Sequence, residues 1–137
     1  MFKLNFATPD KKVVTDMELE EITLPAFSGE LNVLPGHSPL MTTLEAGILK
    51  YRLKNGQTDK VAISWGYCQI STEAVNVLAE TAVHADEIEV KVVEEHLKQF
   101  ENKLATESLD EVDWEKTRHE IGRLKAEIDL VGENKKH

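Results

Sequence analysis

The chain has 137 residues, with 16 basic against 25 acidic side chains and a formal net charge of −9. That length fits one domain, or one compact domain with an appendage. The charge argues against a general nucleic-acid binder, which needs clustered Lys and Arg to displace counterions from phosphates.

The first elements in chain order are short and alternating. "MFKLNFATPD" has no apolar signal core, so no leader is expected, and Phe2, Leu4 and Phe6 alternate with polar neighbours. Leu49, Tyr51 and Leu53 do the same, as do Val61 with Ile63, and Val75, Val77 and Ala79. Successive side chains on a strand face opposite sides, so this period of two predicts half-buried strands. Between them, Pro35 and Gly36 of "LPGHSP" are the residue types a type II turn wants at its two central positions. Pro39 restricts Ser38 to an extended backbone, so the stretch predicts a rigid turn. Asn55-Gly56 predicts a hairpin with a type I′ turn, whose two central residues both take positive φ. All four prolines and five of the seven glycines fall before residue 85. Many short strands punctuated in this way suggest an antiparallel sandwich or barrel.

From Asp86 the period changes. Ile88, Val92 or Val93, Leu97, Phe100 and Leu104 form one helical stripe, and Asp86 with Glu89 resembles a capping pair at its start. After "ATESLDEVD", Trp114, Thr117, Ile121, Leu124, Ile128 and Val131 recur at spacings of three and four, a short a/d seam. Gly132 follows as the expected stop, and the two helices predict an antiparallel hairpin. Residues 86–113 hold three lysines and ten acids, a net of −7, while residues 114–137 hold six basic groups and five acids, a net of +1. Two readings stay open: helix faces that attract each other, or a second helix that can leave for an acidic surface elsewhere. The narrow stripes, and Gly122 at roughly 1 kcal/mol below Ala in mid-helix, make the hairpin look detachable.

Residues suited to catalysis do not assemble into a pattern. No glycine-rich phosphate loop is present. His37, His84, His96, His119 and His137 lack metal-ligand spacing, so no metal is expected. Cys68 is the lone cysteine, which precludes an internal disulfide and suits a reducing compartment. Within "WGYCQIS" it reads as a core thiol rather than a nucleophile. The longest apolar runs fall far short of the roughly 20 residues that cross a bilayer, so no direct membrane insertion is expected. The residues read as a binding protein without a cofactor.

"SGELNVLPGHSPLMTTLEAGIL" resembles a stretch typical of the ε subunit of F-type ATP synthase. Gly29, Glu30, Leu31, Leu34, Pro35, Gly36, His37, Pro39 and Leu40 match its pattern, and Asn32 departs from it where glycine is usual. "AISWGYCQIS", "AVNVLAETAVHADEI" and "VDWEKTRHEIGRLKAEI" extend the resemblance over nearly the whole chain. The resemblance implies an α+β protein. An N-terminal antiparallel β-sandwich of two sheets, residues 1–85, would bind the γ subunit and the c-ring. A C-terminal antiparallel α-helical hairpin, residues 86–137, would be regulatory. It implies a rotor subunit on the central stalk, not an enzyme by itself, at the cytoplasmic face of a bacterial membrane. There it would couple proton-driven c-ring rotation through γ to the catalytic head.

Residue roles follow from the same resemblance. Glu30 and His37 are the implied c-ring contacts, beside the plainer readings of an exposed carboxylate and a turn-holding imidazole. Lys116, Arg118, Arg123 and Lys125 are candidate contacts to acidic surfaces on the catalytic β and α subunits, through which the hairpin would inhibit ATP hydrolysis. Interleaved Glu115, Glu120, Glu127 and Asp129 predict that this inhibition is weak. Some family members carry an I-D-x-x-R-A pattern for ATP. Here Glu89 replaces its aspartate, Val92 its arginine and Val93 its alanine, and a valine cannot pair with phosphate. No tight ATP site is therefore expected. The alternative is an adaptor of another multisubunit assembly.

Overall fold

The computed structural model describes residues 2–106 and 108–135; His137, among the histidines considered above, lies outside them. The strands are β1 (Phe2–Ala7), β2 (Lys12–Ala26), β3 (Gly29–Val33), β4 (Leu40–Leu44), β5 (Gly47–Leu53), β6 (Thr58–Ile63), β7 (Gly66–Ile70), β8 (Ala74–Ala79) and β9 (Ala82–Val83). A 3-10 turn, Ala85–Glu87, leads to helices α1 (Val90–Thr106) and α2 (Glu111–Lys135). One layer runs β1–β8–β7–β4 and the other β3–β2–β5–β6–β9. Pairing is antiparallel throughout except between β1 and β8.

Strand β2 joins the two layers. Its first half pairs with β1 and its second with β5 and β3. The change of partner occurs at Leu19, which faces Phe2 of β1 and Leu53 of β5. Within the β1 pairing a bulge sets Leu4 against Met17 and Phe6 against Val14, so Asn5 opposes two residues. Asp16 takes a φ of 48° there, and its N–H donates to the Asn5 side-chain oxygen at 2.9 Å. Aspartate tolerates this left-handed conformation better than most residues, and bulges sharpen strand bending.

The alternating residues meet between the layers. Phe2, Leu4, Phe6, Leu49, Tyr51, Val61, Ile63, Val75, Val77 and Ala79 are all buried in one cluster with Cys68. Each large aliphatic buried this way contributes about 1.5–3 kcal/mol. Gly66 lets β7 and β8 approach, since a Cβ there would stand 2.1 Å from the Leu78 carbonyl oxygen.

The two turns differ in outcome. The His37 N–H donates to the Leu34 carbonyl at 3.2 Å and Gly36 has a φ of 84°, the type II geometry that Pro35-Gly36 predicts. At residues 53–56 the expected type I′ turn is not found. Gly56 alone has a positive φ, 89°, and Asn55 does not, which gives a type I turn followed by a bulged glycine. The reason is local: the Asn55 side chain accepts the Gln57 N–H at 2.9 Å, a bond made from the ordinary right-handed conformation. Asn32, the departure noted above, lies within β3 rather than a turn, and its amide bonds Thr23 and Glu21 across the strand pair.

The hairpin boundaries also shift. The reciprocal cap forms at His84 and Glu87 rather than Asp86 and Glu89, because a 3-10 turn precedes the helix and α1 starts at Val90. Asp110 caps α2, its carboxylate accepting the Asp113 N–H at 2.8 Å. Gly132 does not stop α2, which continues to Lys135. Of the two valines offered for the α1 stripe, Val93 is buried and Val92 exposed. Trp114, placed on the α2 seam, is exposed.

Helix α2 is not narrow-faced. Thr117, Ile121 and Leu124 are buried on its side away from the sheet, while Ala126 and Leu130 pack on Ala62 with Ile48, Ala85 and Ile88. The helix is thus wedged between α1 and the outer face of β5–β6. The charge difference between the helices produces no α1–α2 ion pair among the described residues; Arg118 and Arg123 pair within α2 instead.

Candidate partner-binding surfaces

The Leu34–His37 turn lies at the surface, with His37 partly exposed. Its Nδ1 lies 2.7 Å from the Ser38 carbonyl oxygen. A carbonyl only accepts, so Nδ1–H donates, and Nε2 makes no hydrogen bond among the described residues. Leu34, beside it, is an exposed large apolar residue. Glu30 is exposed too, but the structure does not bring it to His37. It lies near the opposite end of β3, roughly 10 Å of strand before the turn begins. It borders a groove shared with Pro25, Ile48, Ile128, Asp129 and Glu133. No hydrogen bond or ion pair links Glu30 to His37 among the described residues.

The outer face of β1–β8–β7–β4 is open and almost without charge. Register sets Asn5 beside Asn76, Asn76 beside Gln69, and Gln69 beside Met41. In the next row Ala7, Leu78, Tyr67 and Thr43 follow one another. Met41 is 64% and Tyr67 49% exposed, and a groove of about 350 Å³ crosses the face beside Asn5, Tyr67 and Leu78. Depletion of charge with exposed Met and Tyr marks a surface that meets another protein.

The opposite layer is covered by α2. His119 stacks on Trp65, and a Cβ on Gly122 would lie 3.3 Å from Ala46. Glu133 reaches Lys50 and Lys60. At the joint of sheet and hairpin, the Tyr51 hydroxyl donates to Asp59 at 2.8 Å, and Asp59 also lies 3.3 Å from His84 Nε2. The His84 backbone N–H donates to Glu87 at 2.9 Å and holds that carboxyl below the usual carboxylate range. Burial and the bond to Asp59 push the Tyr51 phenol well above its ordinary value. Burial likewise raises the Cys68 thiol, a core group as its alternating strand implies.

The four basic residues of α2 do not gather into one patch. Lys116 and Arg123 are seven apart on one face, and Arg118 and Lys125 on another about 200° around the helix. Arg123 is bonded to Glu120 and Glu127, and Arg118 to Glu115 with its guanidinium 5.7 Å from the Trp114 ring. Lys116 and Lys125 are exposed. In the degraded ATP motif, Glu89 precedes α1, Val92 is exposed and Val93 buried. The nearby groove of about 770 Å³ is lined by Asp59, Asp86 and Glu87 against one lysine, Lys60. That balance repels phosphate.

Sequence reasoning missed Trp65 with His119, His84 with Asp59, and Glu133 with its two lysines. Only the His84–Glu87 pair carried a local signal, a polar residue followed three places later by Glu. Among the described residues no group of three or more His, Cys, Asp or Glu is placed to hold a metal ion. No described helix is long and apolar enough to cross a membrane.

Comparison with known proteins agrees with the fold. Residues 1–85 match the family described as ATP synthase, Delta/Epsilon chain, beta-sandwich domain. The ATP synthase epsilon chain of Bdellovibrio bacteriovorus is 43% identical over 130 residues, covering 94% of this chain and 93% of that one. That of Geobacter sulfurreducens is 35% identical over 130 residues, covering 95% and 93%. Among solved structures, a chain of the Euglena gracilis mitochondrial ATP synthase (OSCP/F1/c-ring) superposes with a TM-score of 0.79 at 24% identity, covering 91% of this chain and 78% of its own. A chain of the Tetrahymena thermophila mitochondrial ATP synthase central stalk and c-ring gives 0.63 at 21% identity, covering 92% and 96%. The sandwich, the paired helices and the two bacterial relatives agree from end to end: this chain belongs to the ATP synthase epsilon chain family.

Proposed function

We propose that the chain is a non-catalytic rotor subunit of a bacterial F-type ATP synthase, held at the cytoplasmic face of the membrane by its partners. In this reading residues 1–85 bind γ and the c-ring, passing proton-driven rotation to the catalytic head, and residues 86–137 regulate. The observation that carries it is the asymmetry of the sandwich. One outer face is closed by the protein's own α2, while the other is open, broad and sparsely charged, with Lys3 and Lys12 at its β1 edge. The open face is the surface for γ. A polar, aromatic and Met-containing patch can be buried against a partner without stranding a charge.

The c-ring contact falls to Glu30 and His37. With Nδ1–H tied to Ser38, the Nε2 of His37 is free to meet a polar loop, and Leu34 adds apolar area beside it. Glu30 contributes orientation more than affinity. Cysteines placed at positions 30 and 37 should each cross-link to the c subunit in the assembled complex. Cross-linking at neither position would remove the ring from this surface.

The hairpin is a weak inhibitor in this account. Arg118 and Arg123 already have acidic partners on α2, which leaves Lys116 and Lys125 as the basic groups ready for the catalytic subunits. ATP does not bind tightly at Glu89, Val92 and Val93. The ATPase rate of the complex with the full chain should be slightly below that with a chain ended after residue 86. Equal rates would leave the hairpin without this role.

A further inference from the structure

Lys50 of β5 and Lys60 of β6 are register partners, so two ammonium groups stand side by side on the outer face of the sheet. Like charges directly opposite each other destabilise a strand pair. One carboxylate from α2 answers both: Glu133 Oε1 lies 3.5 Å from Lys50 Nζ and Oε2 lies 3.4 Å from Lys60 Nζ. Two of the acids nearby are otherwise engaged, while Glu30 and Asp129 share a groove with Lys50 without pairing to it. Glu21 accepts from Arg52 and Asn32, and Asp59 from Tyr51 and His84. Among the described residues no other carboxylate pairs with either lysine.

Beside the lysines a cavity of about 210 Å³ opens, lined by Thr23, Arg52 and Thr58 and by the already bonded carboxylates of Glu21 and Asp59; Glu133 borders the adjoining groove. Glu133 Oε2 is buried and accepts no hydrogen bond, so its charge is balanced by the ammonium groups without a directed donor. Two converging cations, hydroxyls nearby and an anion already in place describe a site for an oxyanion, filled here from within. A tetrahedral phosphate offers more acceptor oxygens to such a set than a carboxylate does.

We propose that Lys50 and Lys60 form a binding site for a small phosphate-class anion, which Glu133 occupies while α2 is docked. Anion binding and docking of the last turns of α2 then exclude each other. The site depends on neither γ nor the c-ring, so it stands apart from the rotor reading.

The test uses the full chain and inorganic pyrophosphate as probe, with ionic strength held constant by potassium chloride. Glu133→Gln removes the internal competitor and should tighten pyrophosphate binding by about threefold or more, the scale of two partly exposed ion pairs. Lys50→Met and Lys60→Met should each weaken it by at least about fivefold. In the parent chain, pyrophosphate should speed amide exchange of residues 126–133 and leave the sheet unchanged; chloride alone should not. The proposal is overturned if Glu133→Gln binds no more tightly, if the lysine variants bind as the parent does, or if saturating pyrophosphate leaves exchange in α2 unaltered.

Discussion

The imidazole of His119 on α2 stacks on the indole of Trp65 in the β6–β7 turn, with ring centroids 4.8 Å apart and planes 29° from parallel. The stack is the first of a row of contacts along one face of the helix. Gly122 passes Ala46, Ala126 and Leu130 cover Ala62, and Glu133 reaches the lysine pair. Spacings of three and four keep all five residues of α2 on one side. The docked hairpin is therefore held by a continuous stripe rather than by a single contact.

His119→Ala should weaken docking without unfolding the sandwich. A stacked aromatic pair contributes about 1 kcal/mol, a factor of roughly five in an opening equilibrium. Amide exchange in α2 should accelerate by that factor while β1–β8 stay as in the parent. Unchanged exchange would mean that the stack contributes nothing to docking.

Gly122→Leu tests the close approach to Ala46. Leucine is the better helix former by about 1 kcal/mol, yet its Cβ alone would meet the Ala46 Cβ at 3.3 Å, and the rest of the side chain must crowd into the groove of about 120 Å³ between Ala46, Trp65 and His119. The variant should keep helical circular dichroism while α2 lifts away, exposing Trp65 and shifting its emission to the red. Retained blue emission would show that the loop at Ala46 yields instead.

The strands were legible because burial on one side imposes a period of two, which Phe2, Leu4, Phe6, Val75 and Val77 obey; in β6 Val61 and Ile63 face the core, but Ala62 between them is buried too, beneath α2. The Pro35-Gly36 turn was legible because proline fixes its own φ and glycine takes the positive φ of the next position without strain. Asn55 was misread because a side-chain bond to Gln57 decided between turns that the dipeptide alone does not separate. The second face of α2 escaped notice for a different reason. It is built from Gly122 and Ala126, whose small size serves close packing and gives no hydropathy signal, and from Glu133, which reads as solvated. In the candidate site, Glu30 and His37 came from resemblance. The open face of Asn5, Met41, Tyr67 and Asn76 could not, since its members come from four strands that only register brings together.

Gly66→Ala should damage the sandwich itself. Its Cβ would fall 2.1 Å from the Leu78 carbonyl oxygen and 2.8 Å from the Ala79 Cα, both backbone atoms that cannot rotate away. A loss on the order of 3 kcal/mol is expected in urea unfolding, at the upper end for overpacking. A loss within experimental error would mean that β7 and β8 can separate freely.

Glu127 gives the fold a pH dependence. It is 6% exposed, and burial raises its pKa above the ordinary 4.5 despite Arg123 at 3.4 Å. The folded state therefore holds the proton more tightly than the unfolded state. This group's contribution to stability is greatest below 4.5 and falls as pH rises through the raised folded value. Glu127→Gln keeps the shape without the charge, so it should be the more stable form at neutral pH, and its advantage should shrink on acidification. An advantage that grows in acid would reverse the sign and contradict the burial argument.

The central claim is that the open, sparsely charged face of β1–β8–β7–β4 joins the chain to γ. Purification of the assembled synthase through a tag on this chain tests it most directly, comparing the parent with the pair Met41→Lys and Tyr67→Lys. Both positions are exposed, so the substitutions should leave the fold intact by circular dichroism while placing two unpaired charges in the interface, a penalty of several kcal/mol. The account predicts that the parent brings down γ in stoichiometric amount and that the double variant does not. A double variant that folds and still retains γ would contradict it.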